Sequence, residues 1–467
     1  MTTTDSESQQ QAGPAAQLHE LTAALPTGAV LTDPDTTARY RQDWAEQPDA
    51  GSPLAVVRAT CTEDVQAVMR WSNANGVPVV PRGAGTGLSG GSSAVDGCIV
   101  LSLEKMRDIS VDPATRTAVV QPGLLNAEVK KAVAEYGLWY PPDPSSYEIC
   151  SIGGNIATNA GGLCCVKYGV TTDYVLGLHV VLADGTLVRL GGPRMKDVAG
   201  LSLTKLFVGS EGTLGVVTEI TARLIPRQDP AMTMVATFAT LREAADAVLT
   251  ITRTMRPAML EFMDKVSINA CEDYLRMDLD RSAEAMLIAQ SDAPGGHAAA
   301  ELEQMVLACK ENGASEVFHT DDAEEGEAFC EARRAAFPAV GALGDLLFED
   351  VGVPMTKLPE LVTGIAEIAD RRDVTIAVVA HAGDGNTHPL IVSDKNDPEV
   401  AARAELAFGE VIELALAMGG TITGEHGIGR MKKAWLPDYL GPAEMELNRR
   451  IKDALDPHGL LNPGAVF

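Results

Sequence analysis

The stretch Pro78-Val79-Val80-Pro81-Arg82-Gly83-Ala84-Gly85-Thr86-Gly87-Leu88-Ser89-Gly90-Gly91 decides how this chain is read. Gly85, Gly87 and Gly90 match the G-x-G-x-x-G spacing of a dinucleotide-binding turn, and an acid, Glu104, lies nineteen positions beyond Gly85. The residues after Gly90 rule that reading out. A Rossmann turn opens a helix, and a parallel crossover needs at least about ten to twelve residues. Only Gly91–Gly97 separate Gly90 from Cys98, where the next apolar run begins, and Ser92–Gly97 is turn chemistry. The loop is therefore expected to run between two strands and to offer a nest of backbone N–H groups that suits a pyrophosphate. Its candidate contacts are Arg82, Gly83, Gly85, Thr86, Gly87 and Ser89.

Two later stretches share this texture. Ser151–Gly162 offers Ser151, Gly154, Asn155, Thr158 and Gly161, and Val208–Glu219 offers Glu211, Gly212 and Val216. Glycine lets the backbone approach a large ligand closely. Tight turns alone account for any one of these loops but poorly for all three. Between them, short β-rich runs (Leu54–Arg58, Val77–Pro81, Ile99–Leu103, Thr117–Gln121, Gly177–Leu182, Leu187–Leu190, Val216–Leu224) alternate with helical patterns over Glu63–Asn75 and Leu125–Tyr136, which predicts an α+β domain.

At 467 residues the chain exceeds a single core and should divide. A polar tail over residues 1–16 reads as disordered, and Leu18, Leu21 and Leu25 mark a short helix before Pro26. We expect a tail and short helix over 1–34, the glycine-loop domain over 35–228, a second domain over 229–440, and a C-terminal segment over 441–467 that returns to the first domain. Beyond Pro226 and Pro230 the segments lengthen. Strands are expected at Met232–Phe238, Ala285–Gln290, Ser315–His319, Leu346–Val353 and Val374–Ala380, with helices at Leu241–Met255, His297–Glu311, Glu325–Ala336, Lys357–Ala369 and Pro398–Met418. This pattern predicts an α/β layer with an antiparallel sheet covered on one face.

Composition excludes some partners. With 37 basic and 64 acidic residues the net charge is −27, which argues against a general nucleic-acid or anionic-membrane surface. An anionic substrate would need a locally placed cation. The eight cysteines (Cys61, Cys98, Cys150, Cys164, Cys165, Cys271, Cys309, Cys330) form no C-x-x-C pair, so no iron–sulfur cluster is expected and a reducing compartment is. Cys164-Cys165 reads as packing rather than redox chemistry. No secretory leader and no apolar run long enough to span a bilayer are read, which points to a cytoplasmic protein and leaves peripheral membrane association open.

Chemistry concentrates in two islands near the end: Ala380-His381-Ala382-Gly383-Asp384-Gly385-Asn386-Thr387-His388-Pro389 and Thr423-Gly424-Glu425-His426-Gly427-Ile428-Gly429-Arg430. His381 closes an apolar run, so a turn over Gly383–Asn386 should return His388 beside it as a β-hairpin. Imidazole with carboxylate suits a divalent metal such as zinc or manganese, with His381, His388 and Glu425 as ligands and His426 as a spare base.

Taken together, the motifs around Arg82–Gly90, Asp143–Gly162 and Gly209–Val217 resemble the FAD-binding domain of the vanillyl-alcohol oxidase/p-cresol methylhydroxylase flavoproteins. The two histidine islands and the tail Leu461-Asn462-Pro463-Gly464 resemble the D-lactate dehydrogenase and glycolate oxidase flavin-subunit branch. The resemblance runs from about residue 35 to the C-terminus. It implies FAD with its pyrophosphate on the first loop, a substrate cap domain, a metal on His381, His388 and Glu425, His426 as base and Asn462 at the cofactor. It also implies that Arg333 grips a substrate carboxylate. Some relatives attach the flavin through a histidine where this chain has Thr86, which implies non-covalent FAD. Pro389 departs from the pattern and is expected to alter the local strand pairing.

The implied reaction oxidises a small D-2-hydroxy acid, of lactate or glycolate type, to its 2-oxo acid. D-2-hydroxyglutarate is the alternative, needing a second cation such as Arg334, Lys357 or Lys432; a flavin-free metallohydrolase is the alternative from another class. Electrons must leave to a separate quinone, electron-transfer flavoprotein, iron–sulfur subunit or oxygen. A homodimer is compatible with the sequence.

Overall fold

The computed structural model describes residues 14–45 and 49–467. Of the tail expected to be disordered over 1–16, residues 1–13 lie outside the described residues, while 14–16 begin a helix. The first helix, Pro14–Ala24, carries Leu21, which is fully buried, against the first core.

The N-terminal half contains two sheets. Ala55–Arg58, Ile99–Ser102 and Val79–Arg82 lie parallel in a four-stranded sheet, with Val30–Leu31 antiparallel at its edge. Helix Thr62–Asn75 covers it through Val65, Val68 and Met69, an apolar stripe at helical spacing. A five-stranded antiparallel sheet follows, ordered Ile109–Asp112, Thr117–Val120, Val216–Arg223, Val175–Val181, Leu187–Gly191. Val181 and Val216 join the core of the first sheet, so the two are packed as one body.

Two expectations about the glycine loops need correction. The first loop does run between strands without a helix, but those strands are parallel neighbours, Val79↔Ile99 in register. The crossover length counts from Arg82, not Gly90, and residues 83–98 exceed the required dozen or so. The second stretch is not all loop: Ile152–Thr158 is helical, capped by Ser151 Oγ, which accepts from Gly154 N at 3.2 Å, and closed by Asn159 in the left-handed region. Gly153 and Gly154 lower its intrinsic propensity, and burial of Ile152 and Ile156 offsets this.

The C-terminal half is a large antiparallel sheet, ordered Ala314–Thr320, Met232–Phe238, Ala285–Ser291, Met259–Asp264, Ile376–His381, Asn386–Ser393, Asp345–Phe348. Helices Leu241–Thr254, His297–Glu311, Leu358–Arg372 and Pro398–Ala417 cover one face. The other face is covered too, by Lys265–Leu275, Ala323–Arg334 and Ala336–Gly341, contrary to the one-sided sheet expected. Strand Met259–Asp264 and helix Lys265–Leu275 are additions to the expected elements. All six residues of that strand are buried, so it shows no period-2 alternation to read.

The predicted strand Leu346–Val353 is interrupted. Asp345–Phe348 and Val351–Gly352 both pair with Asn386–Ser393, and Glu349-Asp350 between them face His388-Pro389 outside the ladder. Pro389 has no N–H to donate; only Glu349 N→Pro389 O, at 2.9 Å, bridges the gap. The tail returns to the first half: Leu461 bridges Val79 and enters its core, while Ile451 and Leu455 pack against the second sheet.

Candidate functional site

Register explains how the histidines meet. The hairpin pairs His381↔Asn386 and Val379↔His388, placing both rings on one sheet face. On one side, Phe262↔Ala380 continued by a step brings Glu261 opposite His381. On the other, Val351↔Thr387 continued by a step brings Asp350 opposite His388. Neighbouring strands thus present all four residues on one sheet face, with Glu261 beside His381 in one cross-strand row and His388 beside Asp350 in the next.

The contacts follow from those two rows. His381 Nδ1 lies 2.9 and 3.0 Å from the two oxygens of Glu261, and its Nε2 is 3.2 Å from Glu425 Oε1. His388 Nε2 is 3.3 Å from the same oxygen, and its Nδ1 is 3.5 Å from Asp350 Oδ1. The His388 ring stacks on His426, centroids 5.0 Å apart, and meets His381 edge-on at 4.9 Å. Asp350 Oδ2 holds the second island by accepting from Thr423 Oγ1 and from the N–H groups of Gly424, Glu425 and His426 at 2.6–2.9 Å.

This donor set fits a divalent cation. Nε2 of both histidines and Oε1 of Glu425 converge within 4.8 Å, and their 3.2–3.3 Å edges match ligands each about 2.0–2.2 Å from a shared ion. Each histidine also has a carboxylate behind its other nitrogen, the arrangement that fixes a ligating ring. Charge balance agrees. Arg333 Nε lies 2.8 Å from Glu261 Oε2 and Lys432 Nζ 2.8 Å from Glu349 Oε2, which leaves the fully buried Asp350 and the largely enclosed Glu425 as two uncompensated anions. Without a cation, protons must serve. Burial opposes a charge on His381, but Glu261 and then Glu425 outweigh it and raise its pKa well above the usual value. Burial would raise Glu425, yet His381 and His388 hold it well below the carboxylate range. A second grouping, Asp350, His388 and His426, also lies close together; there Asp350 Oδ2 is taken up by the island backbone, and Oδ1 faces His388 Nδ1.

His426 differs from its neighbours. Burial lowers its pKa to about 4, with Asp350 only partly opposing, so the ring is neutral and able to accept a proton at neutral pH. Arg333 is 3 % exposed, and its Nη2 is buried without a partner. The close approach of its Nε to Glu261 is an ion pair rather than an aligned hydrogen bond. A buried guanidinium with an orphaned N–H calls for an anionic ligand.

These groups open onto a cavity of ≈ 520 Å³ whose far walls are the three glycine stretches. Arg82, Gly83, Gly85, Thr86, Gly87, Ser89, Ser151, Gly154, Asn155, Thr158, Glu211, Gly212 and Val216 line it, and so do Arg333, His388, Glu425 and His426. Two of these glycines leave no room for a side chain unless a neighbour moves. A Cβ on Gly85 (φ +78°) would sit 2.1 Å from Arg82 Nη2, and one on Gly83 would sit 2.3 Å from Ser151 Oγ. Such a walled, backbone-lined trough fits an extended dinucleotide cofactor.

Three expected cofactor contacts have partners within the chain. Gly161 makes room for Glu425, whose Oε2 would lie 2.6 Å from an added Cβ. The Glu211 carboxylate accepts from Ile428 N at 2.8 Å and Gly429 N at 2.7 Å, although the residue also borders the cavity. Asn462 Nδ2 donates to Gly91 O and Glu211 O, at 2.7 and 2.8 Å, and its Oδ1 accepts from Arg430. Of the cations considered for a second carboxylate, Arg334 reaches the cavity, while Lys432 is buried on Glu349, Asp350 O and Ile422 O. Cys164 and Cys165 are free thiols, both pushed up chiefly by burial, as suits packing. Glu261 and Asp350 are the site residues that sequence reasoning missed. Their one signal is an acid inside an otherwise apolar run, Met259-Leu260-Glu261-Phe262-Met263 and Phe348-Glu349-Asp350-Val351.

Comparison with known proteins decides the family. Residues 53–191 match the family described as "FAD binding domain", and residues 227–466 match "FAD linked oxidases, C-terminal domain". The chain belongs to the FAD-linked oxidases. It is 40% identical over 443 residues to glycolate oxidase subunit GlcD of Bacillus subtilis, covering 94% of this chain and 92% of that one. It is 35% identical over 423 residues to a D-lactate dehydrogenase of Archaeoglobus fulgidus, covering 90% and 92%. Its fold matches p-cresol methylhydroxylase with substrate bound at a TM-score of 0.81 and 18% identity, covering 97% and 96%. The chain is thus an FAD-linked oxidoreductase with the two-domain fold of the vanillyl-alcohol oxidase/p-cresol methylhydroxylase superfamily. Among the described residues no helix is long and apolar enough to cross a membrane.

Proposed function

We propose that this enzyme oxidises a D-2-hydroxy acid to its 2-oxo acid, using non-covalent FAD and one divalent cation, zinc or manganese, on His381, His388 and Glu425. One observation carries the reading: a single cavity runs from the glycine walls to a buried Arg333 with an unpaired N–H, His388 and Glu425 of the histidine–carboxylate cluster, and His426. The relatives named glycolate oxidase subunit and D-lactate dehydrogenase support this substrate class. When bound, FAD supplies an acceptor for a hydride equivalent, and a divalent cation supplies charge that acidifies a substrate hydroxyl.

The chain's own residues do the rest. Arg333 binds the substrate carboxylate with its planar fork, held in place by Glu261. His426 accepts the proton from the substrate hydroxyl oxygen, and burial keeps its ring unprotonated for that task. Asp350 keeps Glu425 and His426 in position through their backbone N–H groups. Thr86, on the first loop, offers no imidazole for flavin attachment, which supports a dissociable cofactor. The FAD-binding half speaks against a flavin-free metallohydrolase.

The reduced cofactor requires a separate acceptor: a quinone, an electron-transfer flavoprotein, an iron–sulfur subunit or oxygen. The domain division at residues 34, 228 and 440 belongs to this reading, as does a cytoplasmic setting that suits the eight free cysteines. Anaerobic addition of D- and L-2-hydroxy acids tests it. The D-acid should bleach the oxidised flavin bands and yield a 2-oxo acid, and Arg333→Lys should lower kcat/KM by roughly ten- to hundredfold. A flavin that stays oxidised with every acid of both series would remove the reaction.

A further inference from the structure

We propose that the cavity contains an apolar subsite that selects 2-hydroxy acids carrying an aromatic-sized apolar side chain over both small and dicarboxylic ones. This rests on the 2-hydroxy-acid reading above and specifies the substrate's far end. Leu390 stands two residues beyond His388 on the same sheet face, and its cross-strand partner is Phe348. Phe337, one helical turn beyond Arg333, stacks on Phe348 with centroids 4.6 Å apart and planes 17° apart. Trp44 stacks in turn on Phe337 at 5.7 Å and 19°, and it remains 42% exposed. Three near-parallel rings therefore run from the sheet beside the histidine cluster outward, and all three line the cavity.

A half-exposed tryptophan at the end of an aromatic stack is an apolar surface awaiting cover. The chemistry of the other cavity cations points the same way. A second substrate carboxylate would need a free positive charge. Arg333 is assigned to the first carboxylate, Arg82 lies over the Tyr40 ring within the first glycine loop, and the charge of Arg334 is met by Glu327 at Nη1 while its plane lies over Tyr147, with Nε alone left unpaired. Among the described residues lining the cavity these are the only cationic side chains of Lys or Arg type. A substrate placing its carboxylate on Arg333 and its hydroxyl near His426 would thus meet Phe337, Phe348 and Leu390 with the remainder of the molecule.

The test uses the FAD-loaded enzyme and two readouts. Perturbation of the flavin absorbance reports binding of phenylpyruvate, pyruvate and 2-oxoglutarate, and anaerobic reduction reports kcat/KM for D-3-phenyllactate and D-lactate. Phenylpyruvate and phenyllactate should be preferred by about ten- to hundredfold, the range for one buried apolar group. Phe337→Ala should shrink that ratio towards unity while the flavin stays bound. Equal or tighter binding of pyruvate or 2-oxoglutarate overturns the subsite, and so does loss of flavin from Phe337→Ala, which would assign the rings to the cofactor. Preferential binding of phenylpyruvate with no acid reducing the flavin would instead uphold the subsite and overturn the reaction.

Discussion

On one side of the cavity the wall is backbone, held open by glycines such as Gly85 at φ +78°; on the other it is a row of side chains, such as His388, standing on a rigid sheet. The two sides fail differently when disturbed. A backbone wall is intolerant of any side chain, because an added Cβ occupies ligand space or strains a left-handed residue. A side-chain row tolerates changes of shape but not of donor type, because each nitrogen or oxygen has one direction and one charge.

The largest expected effect exploits that contrast. Gly85→Val should give protein largely without FAD, since the branched side chain collides with the Arg82 guanidinium in a conformation valine resists. His388→Ala, or chelation of the native enzyme, should leave the flavin spectrum in place and abolish its reduction by substrate. Flavin content by absorbance and metal content by elemental analysis separate the two. Retention of FAD by Gly85→Val would show that the first loop does not carry the pyrophosphate.

The same contrast governs what a reader of the sequence can see. The glycine walls are local, so the stretches at Gly83–Gly91, Ser151–Gly162 and Gly209–Gly215 announce themselves by composition. The hairpin is legible because His381 and His388 are separated by a turn of glycines. Glu261 is not: it reaches His381 across 120 residues of sequence, and a fully buried strand gives no alternation to mark its faces. Asp350 is hidden by a break in a strand, and the proline that causes the break lies on the partner strand. Composition reports ligands made of backbone; sites made of side chains depend on register, which one strand cannot declare alone.

Glu261→Gln sharpens this point with an intermediate effect. The amide keeps the size of the carboxylate but removes the anion that faces both Arg333 and His381 Nδ1. Loss of such an outer partner typically costs about ten- to hundredfold in metal affinity or activity. We expect both metal affinity and kcat/KM to fall within that range while FAD binding is unchanged. A variant with native metal affinity would reduce Glu261 to a partner of Arg333 alone.

The smallest effect on turnover, and the most direct probe of how the two halves are joined, lies at Glu211. This residue belongs to the third glycine stretch, yet its carboxylate accepts from Ile428 and Gly429, two and three positions beyond His426. Burial pushes its pKa up to about 7 from the ordinary value of 4.5, although the two N–H donors pull the other way. Because the folded carboxyl holds its proton more tightly than the unfolded one, its contribution to stability is full below about pH 4.5. That contribution declines as pH rises, and it is lost once pH passes about 7. Glu211→Gln cannot titrate, so denaturant unfolding of the variant should vary less with pH between about 4.5 and 7 than that of the native enzyme. The native slope corresponds to roughly 1–3 kcal/mol across the window. Identical slopes in the two proteins would mean that Glu211 is as acidic when folded as when unfolded. The N–H groups of Ile428 and Gly429 would then offset burial in full, and the joint between the glycine wall and the histidine island would be ionised at neutral pH.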